Sequence, residues 1–196
     1  MDAIAAAERI AQDVLLPAAE AVDRADRVPV EHFDLLGREG LYGLAGPQAA
    51  GRDALGAVVE ALASGCLATT FVWLQHHGAL AGAAGSARPE VRERWVRPLA
   101  TGERRAGIAL AGLRPDPAPL RVRADGGPGF VLSGEVAWVT GWDMIDTVYL
   151  AARDADDLVH FFLLDAVAGD TLSARPLELI AAQASRTVTL RFDGHR

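Results

Sequence analysis

Apolar residues recur at helical spacing as far as Gly102, and from Glu103 onward they fall in short strand-like runs parted by turn residues. That switch of period constrains the fold more than any other feature, because a stripe every 3.6 residues and an alternation every two residues cannot serve the same element. In "AIAAAERIAQDVLLPAAEAVDRAD", Ile4, Ala7, Ile10 or Ala11, Val14 and Leu15 share a helical stripe, which Pro17 is expected to interrupt. In "VPVEHFDLLGREGLYGL", Pro29 suits a helix start and Gly40 a left-handed cap at its end. A loop, "AGPQAAGRD", precedes a long stretch rich in small residues that reads as two helices parted between Gly65 and Thr69. A short charged helix follows, with Val91, Trp95 and Leu99 inward. The count is about five helices.

Beyond Glu103 come seven short runs: "RAGIALAGL", "LRVRADG", "GFVLSGEVAWVT", "DTVYLAAR", "LVHFFLLDA", "TLSARPLELI" and "RTVTLRFDG". The stretches "ADGGPGF" and "RDADDL" between them read as hairpin turns. Strands at this spacing with no helices between them predict an antiparallel barrel or sandwich. The class is α+β: an N-terminal α-helical bundle over residues 1–102, then a β-domain over residues 103–196.

Composition removes several function classes. The net charge of −7 argues against nucleic acid, whose phosphates call for a basic face. All 19 cationic residues are Arg, and with no Lys there is neither Schiff-base chemistry nor a P-loop. Cys66 stands alone, which excludes an internal disulfide and a Cys-based zinc site and points to a reduced, cytoplasmic setting. No apolar run approaches the roughly 20 residues that span a bilayer. His76 and His77 are neighbours on a helix, about 100° apart around its axis, so they do not share a metal. The "DADD" run lacks the glycine and closing Glu of a calcium loop and reads as a solvated turn.

The stretch "AWVTGWDMIDTVYLAAR", from Ala137 to Arg153, is the most pointed. Strand alternation places Trp138 and Thr140 on one face and Val139 on the other. An aromatic plate and a hydroxyl on one face suit a flat ligand, and equally suit a core plug beside a solvated hydroxyl.

Three strings, "LLGREGLYGLAGPQAAGRD", "GFVLSGEVAWVTGWDMIDTVYLAAR" and "ASRTVTLRFDG", together with the order of helices before strands, resemble the acyl-CoA dehydrogenase family. The likeness covers essentially the whole chain, and Trp-Val-Thr with its flanks is its most specific part. It implies an α-helical domain, an antiparallel β-barrel middle domain, and in the family a C-terminal four-helix bundle. It also implies FAD as cofactor, an acyl-CoA or similar thioester as substrate, an electron acceptor such as an electron-transfer flavoprotein, and a homo- or hetero-oligomer.

Carried over residue by residue, the resemblance assigns Ile108, Ala109, Leu110, Trp138, Val139 and Thr140 to the cofactor, with Trp138 walling the flavin ring and Thr140 hydrogen-bonding its edge. Gly112, Arg114 and Pro115 fall on the substrate side. Here the chain departs from the family. Where members carry Thr-Glu-Pro-Gly-x-Gly-Ser-Asp, this sequence has "ALAGLRPD", Ala109 to Asp116, without the hydroxyls. The family's catalytic base is a Glu of the C-terminal bundle, to which no residue here corresponds, so no catalytic residue is assigned and the chain alone is expected to be inactive. A non-catalytic scaffold or partner subunit, and a flavin monooxygenase on the same fold, are the alternatives.

Overall fold

The structure is a computed structural model that describes residues 2–47, 54–114, 118–127 and 129–196. Helix α1 (Ala3–Ile10) starts where the Asp2 carboxylate accepts the backbone N–H groups of Ile4 and Ala5 at 3.1 and 3.3 Å. Contrary to the expected break at Pro17, the helix continues. A π turn (Ala11–Leu15) leads into α2 (Leu16–Arg24), with the Leu16 N–H reaching back five residues to Ala11 O. The widened turn lets the chain pass a proline that has no N–H to give. Helix α3 (Val30–Arg38) begins after Pro29 and ends at Gly40, which takes the expected left-handed conformation at φ 69°. Helices α4 (Leu55–Gly65) and α5 (Leu67–Ala84) part at Cys66, within the expected interval, and α6 (Pro89–Ala100) completes the set. The π turn lies directly on the end of α4. A Cβ on Gly65 would stand 2.8 Å from Ala11 O and 2.9 Å from Leu15 Cβ, so only glycine permits this crossing.

All seven expected strands form: β1 (Ala106–Ala109), β2 (Arg121–Ala124), β3 (Phe130–Val139), β4 (Thr147–Arg153), β5 (Val159–Asp165), β6 (Leu172–Pro176) and β7 (Val188–His195). Both hairpin turns are present. The Asp125 N–H meets Gly129 O at 3.1 Å, and the Asp154 carboxylate gathers the Asp156 and Leu158 N–H groups. The sheet runs β1-β4-β2-β3-β7-β6, with β5 paired to β4. It is mixed, which corrects the antiparallel expectation: β1 and β2 both run parallel to β4. The cause is a shared starting point. Arg105 O accepts the N–H groups of Asp146 and Thr147 at 2.8 and 3.1 Å, while Arg105 N–H donates to Asp146 Oδ2 at 2.8 Å. Strands β1 and β4 therefore leave the helices side by side in the same direction. The sheet then curls until β1 touches β3, although β4 and β2 lie between them in the hydrogen-bonded order.

Helix α5 is apolar around its circumference and is gripped by α4, α6 and β1. Its His76 joins three elements. Nε2–H donates to Leu99 O at the end of α6 at 2.9 Å, and Nδ1 accepts the Ala106 N–H at the start of β1 at 3.2 Å. Only the neutral ring protonated at Nε2 makes both bonds. Burial, and then the neighbouring His77, bring His76 down to about 3, and burial brings His77 down to about 4. Both nitrogens of His77 are buried without a hydrogen-bond partner, and its ring stands edge-on to Trp73 at 4.5 Å. Among the described residues no helix is long and apolar enough to cross a membrane.

These rings make the fold sensitive to acid. Their folded values lie below the ordinary 6.5, so as pH falls the unfolded chain takes up protons first. The stability they contribute is complete above pH 6.5 and is lost as pH falls toward 4 and then 3. His77 alone accounts for a loss of about 2 kcal/mol between pH 7 and pH 5. Urea denaturation across that interval is expected to show a shallower pH dependence for His77→Phe, which keeps the ring and removes the titration. Curves that stay parallel would contradict this.

Candidate functional site

The site is built where the end of β3 meets β1. A Cβ on Gly107 would lie 2.8 Å from Thr140 O, so glycine at the middle of β1 lets the end of β3 settle against it. Further on, a Cβ on Gly112 would meet Val136 Cβ at 3.4 Å and Leu120 Cβ at 2.9 Å. The structure thus brings the stretch that holds Ile108, Ala109, Leu110 and Gly112 against the stretch that holds Trp138, Val139 and Thr140. Within them Ile108 is half-buried, Ala109 and Gly112 are buried, and Leu110 is exposed. Arg114 is exposed, and Pro115 lies outside the described residues.

Strand β3 does not keep the alternation expected of it. Val136 pairs with Leu190 and Val139 with Val188, so three steps on β3 match two on β7. The extra residue is a bulge, and Trp138 takes it up at φ 64°, in the left-handed region that a tryptophan rarely enters. Trp138 is consequently turned outward and 59% exposed, while Val139 and Thr140 are both buried. Among the described residues no aromatic ring stacks on Trp138, whereas the other Trp side chains, Trp73, Trp95 and Trp142, are buried. Val139 has its side chain in the sheet core, so only its backbone is available to a ligand. The surface that results is an exposed aromatic plate at the end of β3, backed by two glycine-dependent strand contacts.

Sequence reasoning missed what holds this surface. The segment 182–187 lies along 140–143 as a splint. Ser185 O accepts the Gly141 N–H at 2.9 Å, Arg186 O accepts the Trp142 N–H at 3.1 Å, and Arg186 pairs with Asp143 at 2.5 Å. Arg186 and Ala182 both stand at positive φ, 50° and 56°. The splint is anchored in the helices, since Ala184 O accepts the Val28 N–H at 3.1 Å and the Ala184 side chain belongs to the helical core. The Thr140 hydroxyl lies 3.1 Å from Thr187 Oγ1, which lies 2.8 Å from Ser185 Oγ. No local signal in "AAQASRTVTL" announces these contacts, because they depend on tertiary register. Among the described residues there is no cluster of three metal-ligating side chains.

A family model described as acyl-CoA dehydrogenase, N-terminal domain, matches residues 2–103, just over half of the chain. The chain belongs to the acyl-CoA dehydrogenase family. It is 28% identical to a benzylmalonyl-CoA dehydrogenase of Aromatoleum aromaticum, with 95% of this chain and 52% of that protein covered. It is 27% identical to the mitochondrial short-chain specific acyl-CoA dehydrogenase of Sus scrofa, with 95% and 48% covered. Its fold is shared with a glutaryl-CoA dehydrogenase from Mycobacterium smegmatis solved in complex with FADH2, at a TM-score of 0.85 and 23% identity, covering 100% of this chain and 52% of that one. The chain spans about half the length of the curated relatives it matches.

The exposure of Trp138 has a direct readout. Of the four tryptophans it alone is open to a collisional quencher. Acrylamide is expected to quench one component of the intrinsic fluorescence, and Trp138→Phe is expected to remove that component while sparing the rest. Quenching unchanged in the variant would place the accessible ring elsewhere.

Proposed function

We propose that this chain forms the flavin-facing part of an FAD-dependent acyl-CoA dehydrogenase-like oxidoreductase. The observation that carries the reading is Trp138: a large aromatic side chain held outward at a strained bulge, beside the ends of two strands, with no described ring against it. Such an arrangement is costly for a turn and fits a planar ring laid on the strand ends. Trp138 would wall one side of the isoalloxazine, Leu110 and the backbone of 108–110 and 139 would line its margin, and Thr140 would hydrogen-bond its edge. The flavin, when bound, supplies the hydride-accepting chemistry of an α,β-dehydrogenation of an acyl thioester. The chain's own residues orient that ring and exclude water from its covered face.

Gly112, Arg114 and Pro115 would border the thioester. Arg114 has the charge to meet a phosphate or carboxylate of the substrate. Of the two carboxylates in the loop that follows Thr140, Asp143 is committed to Arg186 and Asp146 accepts the Arg105 N–H, so no proton-abstracting role is assigned within this surface. An electron-transfer flavoprotein as acceptor, an oligomeric assembly and a cytoplasmic setting belong to the same proposal. The competing reading, a non-catalytic partner subunit, draws on residues 109–114, which carry no hydroxyl side chain.

Flavin titration by fluorescence quenching separates the two readings. The protein is expected to bind FAD, and Thr140→Ala is expected to weaken binding several-fold, as loss of a hydrogen bond worth about 0.5–1.5 kcal/mol requires. Its visible spectrum should shift as well. The 196-residue chain given FAD, an artificial acceptor and acyl-CoAs of different lengths is expected to show no turnover. Rates of about 1 per second or more would mean that a base lies within these residues.

A further inference from the structure

We propose that Ser185 and Thr187 are positioning residues that fix the Thr140 hydroxyl as a hydrogen-bond donor to the flavin edge. The inference rests on the flavin reading above and adds to it a direction for one proton. Three hydroxyls stand in line: Ser185 Oγ 2.8 Å from Thr187 Oγ1, and Thr187 Oγ1 3.1 Å from Thr140 Oγ1. All three are buried, Ser185 completely, at 0% exposure against 3% for Thr187 and 2% for Thr140.

Each hydroxyl owns one proton and can accept twice. Two hydrogen bonds therefore use two protons and leave one over. If the line runs from Thr140 to Ser185, the spare proton is on Ser185, and among the described residues no second acceptor meets that oxygen. If Thr187 accepts from both neighbours, its own proton is stranded in the core. Stranding a buried donor is costly. The remaining arrangement runs from Ser185 through Thr187 to Thr140. There the spare proton sits on Thr140, just past the end of β3, the hydroxyl that the flavin reading places at the ring edge.

The polarity of the line has two consequences. In that arrangement one lone pair of Thr140 is occupied by Thr187, which leaves its proton for an acceptor on the flavin. Each bond in the line also polarises the next, which strengthens the outermost donor. The backbone enforces the spacing. The Gly141 and Trp142 N–H groups are bound to Ser185 O and Arg186 O, and Arg186 is bound to Asp143, so the two segments carrying the hydroxyls do not drift apart.

A double-mutant cycle in the intact protein tests the inference, with FAD affinity and the visible absorption band of bound flavin as readouts. Thr187→Val keeps the side-chain shape and removes the hydroxyl. It is expected to raise the FAD dissociation constant roughly two- to fivefold and to move the band in the same direction as Thr140→Ala. Thr187→Ser, which restores the hydroxyl, is expected to return both to wild-type values. Ser185→Ala should show a smaller change of the same sign. In the Thr140→Ala background, Thr187→Val is expected to have no further effect. A Thr187→Val loss of the same factor in both backgrounds would show that Thr187 acts through packing and would overturn the inference. So would wild-type affinity and spectrum in Thr187→Val when Thr140→Ala is impaired, an outcome that leaves the flavin reading standing. Wild-type behaviour of Thr140→Ala itself overturns the Thr140 assignment and the inference together.

Discussion

One neutral imidazole sets the geometry on which the site depends. His76 takes the last carbonyl region of α6 with one nitrogen and the first N–H of β1 with the other. It does so at the centre of the helix most tightly enclosed by its neighbours. Because β1 starts there, Arg105 stands where it can receive the start of β4, and the pair must run parallel. Two ion pairs brace the same junction, Arg105 with Asp34 of α3 and Arg104 with Asp165 of β5. Arg104 also lies over the Trp95 ring at 4.9 Å, and such desolvated cation–π contacts add to the brace. The sheet curls from this start, and the curl brings β1 against the end of β3.

The strand ends then do something that a regular sheet would not. A regular β3 would have placed Trp138 and Thr140 together on one face. The bulge instead separates their tasks, with the ring outside and the hydroxyl inside. An exposed tryptophan at positive φ is unfavourable both for its backbone and for its solvation, and the surroundings over-determine it. Val139 is pinned in the sheet core, Thr140 is bound to Thr187, and Gly141 is bound to Ser185. Strain held by this many neighbours is characteristic of surfaces that meet a ligand.

Much of this was legible in the sequence, for reasons of period. The change of apolar spacing at Glu103 located the junction of helices and strands. Glycine and aspartate in "ADGGPGF" and "RDADDL" located both hairpin turns, and Gly40 located a helix end. What stayed hidden depends on contacts between distant segments. Nothing in "RAGIALAGL" or "DTVYLAAR" reveals that β1 and β4 run parallel, because that is decided by Arg105 and Asp146, 41 positions apart. Pro17 argued for a break, and the π turn that relieves it is stabilised by Gly65, far away in the chain. The bulge at Trp138 overturned a face assignment drawn from strict alternation. Ser185 and Thr187 lie in a string, "ASRTVTLRFDG", whose pattern announces a strand and nothing more.

The central claim is that the end of β3, where it meets β1, carries the flavin ring. A crystal structure of the intact protein grown with FAD tests it most directly. The account predicts ring density against the face of Trp138, with the Thr140 hydroxyl within hydrogen-bonding distance of the ring edge and Leu110 at its margin. Density elsewhere on the molecule, or a Trp138 ring buried against another protein segment with no flavin beside it, would contradict the account.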